Sequence, residues 1–124
     1  MKELPQDNIF YRGDTIEMEF VLYRNKSAGE YWDLTNHQIR FQLNGPTTIK
    51  KATANVTGGG NDQILVEDAV HGKFLVIITK TESDTLTPND YDYEIEVTTP
   101  EATRFTVLQN QIRIMQDMIT WVNE

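Results

Sequence analysis

The chain has 124 residues, no cysteine, and 19 acidic against 11 basic side chains, for a formal charge of −8. That length suits one domain with a real hydrophobic core, and 39% apolar residues with 10% aromatics is too rich for a disordered chain. Zero cysteine excludes a disulfide scaffold, a thiolate zinc site and a cysteine nucleophile. The acidic balance argues against a nucleic-acid partner, since the few cations do not cluster. No stretch approaches the roughly 18 consecutive apolar residues of a membrane-spanning helix. Residues 1–7 place no apolar run behind Lys2, so no signal peptide is expected.

The elements, in chain order, read as strands. A short strand is expected at Ile9 to Tyr11. From Asp14 to Tyr23, the side chains Ile16, Met18, Phe20 and Leu22 fall on one face and Thr15, Glu17 and Glu19 on the other. Ile39, Phe41 and Leu43 form the next apolar face, with Gln38, Arg40 and Gln42 outward. Weaker strands are expected at Ile49 to Val56 and Gln63 to Asp68, joined by the flexible hairpin tip Gly58-Gly59-Gly60. Phe74, Val76 and Ile78 make a further strand in which Leu75 and Ile77 are apolar as well, so both faces need cover. The stretch 81–86 is the one predicted helical turn, capped by Thr81 or Ser83 and stopped by Pro88. Tyr91, Tyr93, Ile95 and Val97 then alternate with Asp90, Asp92, Glu94 and Glu96. In the last strand the apolar parity switches from Phe105 and Val107 to Ile112 and Ile114, which requires an inserted residue near Leu108 to Asn110. Turn signals recur about every 8 to 12 residues, the spacing of an all-β sandwich or barrel. Seven to nine strands are expected in a single domain over 1–124.

Short motifs are weighed against their plain structural meaning. Arg12-Gly13-Asp14 has the form of an integrin-binding tripeptide, but it directly precedes a strong strand and is read as a turn. The sequons Asn25-Lys26-Ser27 and Asn55-Val56-Thr57 matter only in a secreted eukaryotic protein, and without a leader they are read as unused. Asp92, Glu94 and Glu96 sit about 7 Å apart on a wet strand face, too solvated for paired-carboxylate catalysis or a calcium loop. They are expected to face Arg40, Arg104 or Arg113 on neighbouring strands. His37 and His71 lie in separate loops, and Ser27 and Ser83 lack a nearby base. No phosphate-binding loop is present, so no catalytic, cofactor or metal residue is assigned, and no enzyme activity is expected.

Two features point to contacts. Tyr31 and Trp32 form a candidate ligand platform for a sugar, against the alternative that they fold over the edge of the core. Leu75, Ile77, Val21 and Tyr23 form a candidate protein interface, to be covered by the tail at 115–124, where Met118 and Trp121 supply apolar side chains, in the same chain or a neighbouring subunit. The alternative is a modest exposed patch of the kind monomers carry.

Several runs carry a family likeness: Ile9-Phe10-Tyr11-Arg12-Gly13-Asp14-Thr15 before an apolar strand, Asp33-Leu34-Thr35, the Gly72-led strand ending in Thr79, and the run from Asp84-Thr85-Leu86-Thr87-Pro88 through Asn89-Asp90-Tyr91-Asp92-Tyr93-Glu94-Ile95. Their order resembles the Ig-like β-sandwich domains of phage tails, notably the N-terminal domain of siphophage baseplate upper proteins and their prophage relatives. The resemblance covers about 9–114. It implies a structural module of a tail or baseplate, assembled in the bacterial host cytoplasm, that acts by self-association or by docking on other virion proteins. Leu86-x-Pro88-x-x-Tyr91 would then form a loop tethered by Tyr91 or Tyr93 as in a tyrosine corner. The family usually has glycine where Asn89 stands, a mild departure because asparagine tolerates the left-handed conformation. Family members continue into further domains.

The combined expectation is an all-β, Ig-like sandwich of two antiparallel sheets with a core of Met18, Phe20, Leu22, Ile39, Phe41, Phe74, Val76, Ile78, Tyr93, Ile95, Val97 and Phe105. The alternative function is a carbohydrate-binding module using Tyr31, Trp32 and Tyr11.

Overall fold

Strand β9 (Asn89–Thr98) shows why the alternation of acids and apolar residues makes a sheet. Tyr91, Tyr93, Ile95 and Val97 are buried on one face, while the acids between them stay in contact with water. A computed structural model describes residues 8–53 and 64–116, with ten strands and one short helix among them. On one side β9 pairs antiparallel with β5 (Gln38–Asn44), which in turn pairs with β6 (Ile49–Ala52). On the other side β9 pairs with β10 (Arg104–Met115), and β1 (Ile9–Tyr11) lies parallel to the last three residues of β10. The resulting five-stranded sheet has the order β1-β10-β9-β5-β6.

A second, three-stranded sheet has β8 (Lys73–Ile78) at its centre, between β2 (Ile16–Val21) and β7 (Ile64–Asp68). The two sheets share one core. Ile16, Met18, Ile64, Phe74, Val76 and Ile78 from the smaller sheet meet Ile39, Phe41, Leu43, Ile95, Ile112 and Ile114 from the larger one. A two-stranded ribbon, β3 (Tyr23–Asn25) with β4 (Glu30–Tyr31), closes over the turn that begins at Lys26. The chain is therefore all-β with a sandwich-like arrangement.

One polar device ties the open end. Helix α1 (Lys80–Ser83) is a single turn capped by Thr79, whose hydroxyl accepts from the Glu82 N–H while the Glu82 carboxylate accepts from the Thr79 N–H. The same carboxylate takes the ammonium of Lys51 at 2.5 Å, although Lys51 is a core residue only 1% exposed. The pair links β6 to α1 across 31 residues of sequence.

The structure departs from the sequence reading at particular places. Phe105, expected in the core, is 45% exposed. Before Arg113 the outer side of β10 has no strand beside it among the described residues, so Phe105 occupies an edge column near the start of the strand. Its ring meets the edge of Trp32 at 5.7 Å. Phe20 and Leu22 are partly buried and pack against the core from its margin. The parity switch in β10 is a bulge, but the register shifts at Val107, between Thr106 and Leu108, one residue ahead of the expected stretch. The helical turn starts earlier than expected, at Lys80, because Thr79 and Glu82 have the spacing of a capping box. The ribbon strands β3 and β4 raise the count above seven to nine. The glycine hairpin and the Asn55 sequon lie outside the described residues, as do Val56 and Gln63 at the ends of two expected strands.

Candidate functional site

The outer face of the three-stranded sheet is set by register. Leu75 lies between Glu19 on β2 and Leu65 on β7, Ile77 lies opposite Glu17, and Val21 lies opposite Lys73. Leu75 and Ile77 are half-buried by their neighbours, whereas Leu65 is 45% and Val21 39% exposed. The structure thus brings Val21, Leu75 and Ile77 to one face and adds Leu65, which periodicity alone did not single out. Tyr23 stands instead in the ribbon, and Met118 and Trp121 lie outside the described residues. Lys73 reaches Glu19 at 3.8 Å across this face.

The aromatic residues gather around the ribbon. Tyr31 is 41% exposed and stacks on Tyr23 at 4.9 Å, with Lys26 near the Tyr23 ring and His71 edge-on to Tyr31 at 5.1 Å. His71 Nδ1 lies 2.8 Å from the Asp68 carboxylate. Trp32 points elsewhere. Its indole N–H donates to His37 Nε2 at 3.3 Å, and His37 Nδ1 lies 2.8 Å from the Thr35 carbonyl. The Arg24 guanidinium sits 5.8 Å from the Trp32 ring centre. Tyr31 and Trp32 are adjacent in sequence, but their rings join different clusters. Tyr11 lies on β1 and is exposed.

Between Tyr31 and the core, Asp33-Leu34-Thr35 forms a local polar turn. The Asp33 carboxylate accepts from both the backbone and the hydroxyl of Thr35, and those bonds hold its carboxyl below the usual range. Leu34 is driven into the core, with its N–H on the Ala69 carbonyl.

Each acid of β9 has a partner, but only two of them meet a cation among the described residues. Glu96 lies between Arg40 at 3.6 Å and Arg104 at 3.5 Å, and Asp90 takes the Arg113 guanidinium through two hydrogen bonds. Asp92 and Glu94 face amides, from Gln111 at 2.8 Å and Gln109 at 3.0 Å. The expected arginines therefore serve Glu96 and Asp90, while the middle of the ladder is bonded to glutamines. A shallow polar depression of about 450 Å³ lies there, lined by Asn44, Asp92, Glu94, Gln109 and Asn110 among others. Among the described residues, no three His, Asp or Glu side chains converge as a metal site would require.

Arg12-Gly13-Asp14 is docked on α1. Gly13 has φ +89°, its N–H donates to the buried Ser83 hydroxyl at 2.9 Å, and the Arg12 Nε–H donates to the Asp84 carbonyl at 3.0 Å. The tripeptide closes a turn, with the Asp14 N–H on the Tyr11 carbonyl.

The Leu86 to Tyr91 loop was visible as a motif, and its geometry is specific. The Tyr91 ring is buried and its hydroxyl donates to the Thr87 carbonyl, four residues upstream, at 2.8 Å. Leu86 is buried in the same core cluster. Sequence reasoning missed Lys51 as a core residue. Its only local signal was that it shares strand parity with Ile49, and the Thr79-x-x-Glu82 spacing named the helix cap without naming Lys51 as its partner. Compared with models of protein families and with curated proteins, the chain matches none.

Proposed function

We propose that this chain is an Ig-like domain of a phage or prophage tail or baseplate, and that it acts without catalysis, through contacts with other virion proteins. The observation that carries the reading is the Tyr91 corner. In Ig-like sandwiches a tyrosine at the start of strand F bonds back to the backbone a few residues upstream, as Tyr91 does to Thr87. The strand order supports the same reading: β2, β8 and β7 take the places of strands B, E and D, and β6, β5, β9 and β10 those of C′, C, F and G. Tyr93, two residues after the corner, occupies the position of the second cysteine in antibody domains. Here it meets Phe20 of the opposite sheet at 6.0 Å and Phe41 of β5 at 5.5 Å, so aromatic contacts stand where those domains have a disulfide and a tryptophan.

The virion assignment is tested by inducing the host strain, purifying the particles by density gradient and identifying their proteins by mass spectrometry. The chain is expected in intact particles and in isolated tails. Its presence only in the soluble fraction overturns the assignment.

A second reading, a carbohydrate-binding module, is favoured by one observation: the exposed Tyr31 ring is braced by its stack on Tyr23 beside the Asp68–His71 pair. Titration with cell-wall polysaccharide fragments, repeated with Tyr31→Ala, tests it. Saturable binding lost in the variant supports a sugar site, and its absence removes this reading.

A further inference from the structure

The two sheets treat their outer acids differently. On the five-stranded sheet, Asp90, Asp92, Glu94 and Glu96 all have a cation or an amide within hydrogen-bond or ion-pair range. On the three-stranded sheet, Glu17 has no such partner among the described residues, and Glu19 has only the long contact to Lys73. These two acids run along β2, whose side away from β8 carries no strand among the described residues. Directly beside them lie Leu75 and Ile77, continued by Leu65 on β7. A stripe of apolar side chains is thus bordered on one side by Glu17, which has no cation beside it among the described residues, and by Glu19, which has a single long ion pair to Lys73.

We propose that this face docks a segment of a partner protein with an apolar centre and Lys or Arg along one margin. The apolar centre would cover Ile77, Leu75 and Leu65, and the cations would meet Glu17 and Glu19. Charge decides against a second copy. Each copy would bring its own Glu17 and Glu19 to the contact, and the chain already carries −8. The inference rests on the reading of the chain as an assembly module and adds the chemistry of its partner.

The test uses the full chain labelled with nitrogen-15 and two synthetic probe peptides, one alternating Leu with Lys and one alternating Leu with Glu. Amide shifts with the Lys peptide are expected to concentrate at Glu17 to Val21, Leu65, and Lys73 to Ile77, and to be absent with the Glu peptide. In Glu17→Gln/Glu19→Gln, which changes only exposed side chains, affinity for the Lys peptide is expected to fall roughly three- to tenfold. Unchanged affinity in that variant overturns the proposal, and so do equal shifts along Asp90 to Glu96. Binding seen only after deletion of residues 117–124 also overturns it, by showing that the chain covers its own face. A dimer in sedimentation whose formation perturbs the same amides overturns it in favour of a second copy. If the chain copurifies with tails and the peptide result fails, this inference falls and the assembly reading stands.

Discussion

The rings of Phe20 and Tyr93 meet across the sandwich at 6.0 Å, tilted by 58°. Phe20 also stacks on Phe74 within its own sheet, and Tyr93 leans on Phe41 within the other. Four aromatic rings therefore join β2 and β8 to β5 and β9. Offset and tilted rings are favoured because the negative face of one meets the positive edge of another.

Phe20→Ala removes the ring that links the two sheets and leaves space beside Tyr93. The expected cost is about 3 kcal/mol, the low end for a phenylalanine truncation because Phe20 is only partly buried. Urea denaturation of the variant measures it. A loss below about 1 kcal/mol would mean that the two sheets do not depend on this contact.

Tyr91→Phe keeps the buried ring and deletes the hydroxyl's hydrogen bonds to the Thr87 carbonyl and the Thr47 side chain, so a loss of about 1 to 2 kcal/mol is expected. Burial pushes the hydroxyls of both Tyr91 and Tyr93 above the ordinary value of 10.0, outweighing the hydrogen bonds that lower them. The unfolded chain then loses its tyrosine protons first as pH rises. The stability these groups contribute is fully present below pH 10.0 and declines above it. Thermal melts at increasingly alkaline pH should show that decline, and it should be shallower in Tyr91→Phe.

The Lys51–Glu82 pair predicts an asymmetry. Lys51 has no exposed side-chain surface, whereas the Glu82 side chain is 34% exposed. Glu82→Gln deprives a buried ammonium of its carboxylate and should cost about 3 kcal/mol or more. Lys51→Met removes the buried charge itself, leaves Glu82 able to reach water, and should cost about 1 kcal/mol or less. The reverse order in urea titrations would show that the pair is not held as described.

The same pair gives an acid dependence. Burial raises the Glu82 carboxyl, but hydrogen bonds from Lys51 and Thr79 outweigh it and hold it below the ordinary 4.5. Its folded value is depressed, so its contribution is present above pH 4.5 and is lost as pH falls through the folded value. Melting temperatures measured from pH 6 downward should fall less steeply in Lys51→Met than in the parent chain.

Gly72 stands where the ends of β2, β4 and the start of β8 converge. Its φ is +65°, and a β-carbon there would lie 2.5 Å from the Leu22 carbonyl oxygen and 2.9 Å from that of Trp32. The Leu22 N–H bonds to the Gly72 carbonyl, and the Trp32 N–H bonds to that of Leu22, so the backbone has little freedom to move aside. Gly72→Ala is expected to cost at least about 2 kcal/mol, read from denaturation midpoints. A midpoint within error of the parent would contradict this packing.

Local pattern was enough to read the strands β2, β5, β8 and β9, because a period of two puts every second side chain on one face whatever lies opposite. It was also enough to place a bulge in β10, since a parity change cannot occur without an extra residue. The Tyr91 loop was legible because its residues lie within six positions of one another. The outer-face stripe was only partly legible: Leu75 and Ile77 stood out, but Leu65 joined them through pairing between β7 and β8.

What the sequence determined by itself was therefore the all-β character, the inward face of the main strands and the turns between them, all set by neighbours along the chain. Tertiary structure decided the rest. It placed Phe105 on an edge column, where no strand among the described residues lies on its outer side, and drew Lys51 into the core because Glu82, 31 residues away, meets its charge. It also gave Glu96 two arginines and left Glu17 with none among the described residues. Alternation tells which side of a strand faces inward. Only the pairing of distant strands tells how far the opposite sheet extends and which charges come to face one another.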